Sequence, residues 1–289
     1  MSEEDPVDQE ELDEYYKEVG VEPSEMRAPK KEAVYKTKEK SGPTKRSQLI
    51  DKMLDTVRTN PNYKVINRVI QVVKSVFTDS TDQGKEEEEV KAPKQANLGL
   101  ALGSEEYHRL LVFFASELPT IMLQQAGVAE FGKKVDLKKA YSGLTSKFSI
   151  LLKSYSANYT RLLSDALHEQ NLAHLGYFFA NASDTVRCIL PFKVYTKKLA
   201  IICARTVAMY SKVDKAAMVM AFNSLRTLIH WAGDKTLFES VMKKFYNEFA
   251  RESKVGGGGL LVQDRMRISQ NCFVELLDFN RSIGYQLGF

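Results

Sequence analysis

Apolar residues recur at helical spacing along most of this chain. Leu49, Ile50, Met53, Leu54 and Val57 form one stripe, and Val65, Ile66, Val69, Ile70, Val73, Val76 and Phe77 form a second. Asn60-Pro61 breaks the chain between them. The β-branched content of VINRVIQVV makes a strand conceivable, but the run is too long and its period too near 3.6. From Ser104 onward nearly everything reads as helix. SEEYHRLLVFF opens with a capping hydroxyl and two acids in its first turn, and Pro119 is expected to end or bend that helix after Leu118. Helical patterns follow at about 139–168, 169–181, 184–190, 193–211, 214–232, 235–252 and 261–279. The breakers between them are Asn181, Pro191, Ser211-Lys212, Gly233 and the Gly256–Gly259 run. No alternation of strand type has useful length in this half.

Helices joined by short turns pack antiparallel, and here they pair at about forty residues per pair. That spacing predicts an all-α, armadillo/HEAT-like helical-repeat solenoid rather than a closed bundle. VDKAAMVMAFNSLRTLI has the character of a second HEAT helix, with Asp214 at its start and small apolar residues in its packing stripe. Four regions are expected. Residues 1–45 are charged and punctuated by Pro6, Pro23, Pro29 and Pro43, the composition of a disordered leader. Residues 46–77 form a helical pair. Residues 78–103, with EEEE at 86–89, read as a mobile acidic linker. Residues 104–289 form the helical-repeat domain. Its final stripe, Ile283, Tyr285, Leu287 and Phe289, stops at the last residue as if a partner surface were missing.

Charge divides the chain. Its 289 residues are 44% hydrophobic, ordinary globular composition. The net charge is +4, but residues 1–103 hold 17 Lys/Arg against 21 Asp/Glu, while residues 104–289 hold 24 against 16. A basic body favours acidic partners, RNA among them. Lys193, Lys197 and Lys198 cluster at the start of one helix, Lys133 and Lys134 precede another together with Lys138 and Lys139, and Lys243 and Lys244 lie on a third. Tyr141, Tyr195 and Tyr246 fall nearby, so these lysines are the candidate RNA contacts. The competing account is a solvated lysine face, since no RNA-binding motif accompanies the charges.

Catalytic chemistry finds little purchase. His108, His168, His174 and His230 lack metal-binding spacing, and no cysteine completes a zinc pattern. Cys188, Cys203 and Cys272 are odd in number and widely spaced, the usage of reduced, buried thiols in an intracellular protein. Arg187 beside Cys188 and Arg205 near Cys203 give thin support for a nucleophile. The glycine run lacks the Lys-Ser/Thr and the buried strand of a phosphate loop. No cofactor and no metal is called for. The N-terminal SEEDPVDQEELDE is unlike a signal peptide, and LAIICARTVAMY is too short to span a membrane.

The order of blocks from Ser104 to Phe289 resembles the nucleolar complex protein 2 family. EEYHRLLVFFASELPTIMLQ matches an aromatic-rich family helix, and FSILLKSYSANYTRLLSDALHEQNLAHLGYFFANASDTVRCIL its paired helices. YTKKLAIICARTVAMYSKVDKAAMVMAFNSLRTLIHWAGDKTLFESVMKKFYNEFARESK looks like the family's basic helix, turn and R-x-x-A-F-x-x-L helix, with Ala221, Phe222 and Leu225 in place. Lys215 or Ala217 stands near the usual Arg. NCFVELLDFNRSIGYQLGF is similar to a segment leading into a Tyr-Gln pair, here Tyr285-Gln286, beyond which the family continues. The resemblance implies an early stop, a helical-repeat scaffold without enzyme activity, and partnership with sister nucleolar complex proteins on pre-60S particles, with rRNA within reach. It implies residence in the nucleolus and nucleoplasm. A HEAT-like adaptor in intracellular transport is the alternative that the helical pattern alone would also permit.

Overall fold

The computed structural model describes residues 45–78, 104–128, 136–180, 182–255, 259–279 and 281. The expected leader, the acidic linker, Lys133, Lys134 and the final apolar stripe lie outside the described residues. What is described is all-helical, with no strand among the described residues. The helices are α1 (Lys45–Thr59), α2 (Tyr63–Thr78), α3 (Ser104–Ser116), α4 (Leu118–Gln125), α5 (Leu137–Ala140) and α6 (Ser146–His168). They continue as α7 (Leu172–Ala180), α8 (Ala182–Ile189), α9 (Lys193–Ala208), α10 (Lys215–Ala232), α11 (Lys235–Val255) and α12 (Leu260–Phe279).

Local chemistry sets many of the boundaries. Asn62 accepts from the Val65 amide at 3.0 Å and opens α2. Asp214 accepts from Ala217 at 2.7 Å and opens α10, which Gly233 closes in the left-handed region at φ 57°. Asp234 accepts from the amide and hydroxyl of Thr236, both at 2.8 Å, and starts α11. Two stretches differ in detail from the sequence expectation. The chain does bend beside Pro119, as expected, but the bend precedes Leu118, and Pro119 begins the next helix rather than ending the last. It sits in the first turn of α4, where its missing N–H costs nothing, and the bend falls at Glu117. The pattern over 139–168 is not one helix: the chain turns at Tyr141–Gly143, and Thr145 caps a fresh start.

The helices fall into two rows. In the first, α2 touches α6, α6 touches α9, and α9 touches α11. In the second, the split pair α3–α4 touches the split pair α7–α8, which touches α10, which touches α12. Each first-row helix packs on the second-row helix or helices that follow it in sequence. One continuous apolar core, from Ile50 to Leu276, fills the space between the rows. Its largest buried members are aromatic: Tyr155, Tyr159, Phe113, Phe114, Phe178 and Phe245 are all 1% exposed or less. Burying these rings dominates the packing energy.

Buried polar groups in this core are mostly matched. The Tyr159 hydroxyl donates to the Phe178 carbonyl at 2.6 Å, and Tyr155 shares a 3.1 Å hydrogen bond with Thr185. Asp184 accepts from Thr120 at 2.6 Å and pairs with Arg187 at 2.8 Å, which fastens α8 to α4. At the start of the rows, α1 is clamped onto α3. Arg109 grips both oxygens of Asp51, and Arg58 reaches both oxygens of Glu117 at 2.7 and 2.9 Å. At the far side, Leu260 and Leu261 of α12 stand 84% and 79% exposed.

Candidate functional site

Packing an apolar stripe inward leaves the opposite face of each helix to water. What stands on that face differs sharply between the rows. Net charges of +3 on α2, +2 on α6, +4 on α9 and +2 on α11 give the first row +11. The helices of the second row sum to zero. α2 and α9 carry no acidic residue at all.

Three of the candidate lysines stand together. Lys193, Lys197 and Lys198 are exposed in the first two turns of α9. Lys198 lies over the Tyr195 ring, 5.6 Å from its centroid, and Tyr195 meets Phe192 edge-on at 6.4 Å. Tyr195 is half-buried, with one contact edge-on to Phe192 and another to Lys198. Lys193 and Lys197 also border a cleft of about 570 Å³. Leu137 and Tyr141 line it from the chain before α6, and Asp234, Thr236 and Leu237 from the start of α11. The Tyr141 hydroxyl donates to the Arg187 carbonyl, and burial raises its pKa. Asp234 is held below the usual carboxylate range, first by its hydrogen bond from Thr236, with Lys193 adding to it.

The α11 lysines part company. Lys243 is exposed. Lys244 is tied to Glu248 at 2.8 Å, one helical turn on. Glu248 is 3% exposed and is also met by Arg205 of α9, at 3.3 Å, and by Arg251. Burial alone pushes this carboxyl up. The hydrogen bond and charge of Lys244, with Arg251 and Arg205, outweigh it and hold the pKa below the ordinary glutamate value. A second buried acid, Glu252, accepts from Ser211. The lysine-cluster reading missed this carboxylate hub; the i, i+4 pair Lys244–Glu248 was its visible signal.

It also missed Lys147, Lys153 and Arg161 of α6, Arg205 of α9 and Lys254 of α11. They are too dispersed to look like clusters, but all lie among the exposed or half-buried positions of their helices. The signal was their helical spacing opposite an apolar stripe, as for Lys147 and Lys153 against Leu151, Leu152 and Tyr155.

The sulfur and imidazole groups lie elsewhere. Cys188 and Cys203 are fully buried, and burial pushes both thiols well above their ordinary value, the reverse of an activated nucleophile. Burial likewise lifts Cys272 to about 11. His174 tilts against Tyr107 at 5.8 Å and His108 meets Tyr177 edge-on at 4.9 Å, both across the α3–α7 contact. Among the described residues no group of three His, Cys, Asp or Glu side chains could hold a metal ion. No helix among them is long and apolar enough to cross a membrane. No family model matches the chain, and no curated protein matches it.

Proposed function

We propose that this chain is a non-enzymatic scaffold of large ribosomal subunit biogenesis, related to the nucleolar complex protein 2 family. It would bind sister nucleolar complex proteins on pre-60S particles, in the nucleolus and nucleoplasm, and turn its basic row toward pre-rRNA. The single observation that carries this reading is the contrast between the two rows, a surplus of +11 on the first against zero on the second. A scaffold that must hold protein on one surface and a polyanion on another needs such a division.

The architecture supports it as an armadillo/HEAT-like solenoid. The two ion pairs between α10 and α12, Lys215–Asp264 and Arg226–Glu275, join residues 49 positions apart. The pair between α9 and α11, Arg205–Glu248, joins residues 43 apart. Separations of 43 and 49 residues lie near the 40–47 residues of a HEAT or armadillo unit and support a repeat of that size. The block resemblance from Ser104 onward adds the family. The exposed Leu260, Leu261 and Val274 of α12 suit a protein partner.

The test is an affinity purification of the tagged protein from its native cells, with gradient sedimentation of the extract. Co-purification of large-subunit rRNA precursors with a second helical-repeat assembly factor supports the reading. Recovery of coat or cytoskeletal proteins without rRNA overturns it and favours the transport adaptor instead.

A further inference from the structure

The three first-row helices α6, α9 and α11 run in the same direction. The cleft at one end joins Tyr141, just before α6, to Lys193 and Lys197 at the start of α9 and to Thr236 at the start of α11. Toward the other end, Arg205 of α9 meets Glu248 of α11. All three positive dipole ends therefore share one edge, the edge that also carries Lys193 and Lys197. Six exposed lysines continue from there over the surface: Lys147 and Lys153 on α6, Lys197 and Lys198 on α9, Lys243 and Lys254 on α11.

The dimensions of this field follow from helix geometry. Neighbouring axes lie about 8–10 Å apart, so three helices give a field about 20 Å wide. Along α11 the lysines are about 16 Å apart, at 1.5 Å per residue. The field is thus two-dimensional, broader than one line of phosphates. It also lacks stacking platforms. The exposed large apolar residues on these helices are Ile150, Val194 and Tyr246. Tyr246, the aromatic one, leans on Phe273 of α12 with centroids 6.4 Å apart. Single-strand binders line their groove with rings that stack on successive bases. A membrane-surface helix needs a contiguous apolar face, and Ile150 and Val194 stand singly on different helices.

We propose that the exposed face of α6, α9 and α11 binds the phosphate backbone of a nucleic acid double helix, reading shape and charge rather than sequence. The proposal deepens the pre-60S reading and rests on it only for the source of the duplex, which there is folded RNA. Arg161, Arg205, Lys244 and Arg251 contribute less, because each already meets a carboxylate.

The experiment compares the full chain on a labelled RNA duplex of about 20 base pairs, the matched DNA duplex, a single-stranded RNA and phosphatidylserine vesicles, across a salt series. Duplex binding should weaken linearly in log–log form as salt rises, tighter than single strand or vesicle. Equal binding of both duplexes supports readout of duplex backbone charge, and RNA preference adds readout of A-form shape while fixing the source. The variant K197E/K198E should lose about tenfold or more in duplex affinity and flatten the salt slope by about two. The variant K52E/R267E makes the same charge change at exposed positions on α1 and α12, and should stay within about twofold at fixed salt. Circular dichroism confirms that both variants fold. Preference for single strand or vesicles overturns the proposal, as do equal losses in the two variants. Duplex binding without rRNA precursors in the native purification would sink the pre-60S reading and leave the face standing. Precursor recovery without duplex binding would sink only the face.

Discussion

The two rows are built from the same kind of helix and use their charges in opposite ways. In the second row, three cations are matched by acids on neighbouring helices. Lys215 meets Asp264 at 3.5 Å, Arg226 meets Glu275 at 3.0 Å, and Arg109 grips Asp51 of α1. In the first row the helices carry four acids, Asp165, Glu239, Glu248 and Glu252, the last two buried, against fifteen Lys and Arg. Matched charge fastens neighbours, while surplus charge creates a field that a ligand can neutralise. Both rows share one core, so neither surface is free to change without regard to the other.

Cutting that shared core should have the largest effect. Phe245→Ala removes a fully buried ring that stacks on Phe273 of α12 at 5.2 Å. It should cost about 3–5 kcal/mol in urea unfolding and loosen α12 together with the first row. A loss under about 1 kcal/mol would show that α11 and α12 are held by something other than this contact.

Glu248 sharpens the comparison, because there a buried acid locally neutralises three cations of the basic row. Glu248→Gln should cost about 1–3 kcal/mol at neutral pH, since three cations lose their common partner. Its pKa is lowered in the folded state, so the unfolded chain binds the proton more readily. Its contribution is therefore fully present above the ordinary glutamate value, near 4.3, and is lost as pH falls through the lower folded value. Unfolding curves from pH 7 downward should show wild type and Glu248→Gln converging in acid. Parallel curves would break the argument.

The smallest effect belongs to the exposed bridges of the second row. Arg226 and Glu275 are about half exposed, so Arg226→Ala should change stability by no more than about 1 kcal/mol in a thermal melt at physiological salt. A larger loss would mean that these bridges, and not the core, hold the row together.

Much of this was legible from the chain. The 3.6 period announced nearly every helix, and Asp214 and Gly233 marked both ends of α10 because caps are local chemistry. The break before α6 was written as Ser142-Gly143 and Thr145, but the apolar pattern on either side hid it. Pro119 was visible and its direction was not, because a proline ends one helix or begins the next depending on where Glu117 bends the chain. The lysine clusters on α9 and α11 could be seen. That α2 and α6 belong to the same basic row could not, since row membership depends on contacts between helices far apart in sequence. Nor could the burial of Glu248 or its pairing with Arg205 on a different helix.

The twin bridges between α10 and α12 also bear on how the chain can change length. Lys215 to Arg226 spans the same eleven positions as Asp264 to Glu275, about three turns on each helix. An insertion between α11 and α12 shifts both partners together and leaves the two bridges in phase. One residue added inside either helix rotates one bridge by about 100° against the other and breaks it. Length variation is therefore silent in the turns and audible in the helices, so related chains should differ by insertions between α11 and α12 while holding α10 and α12 at constant count.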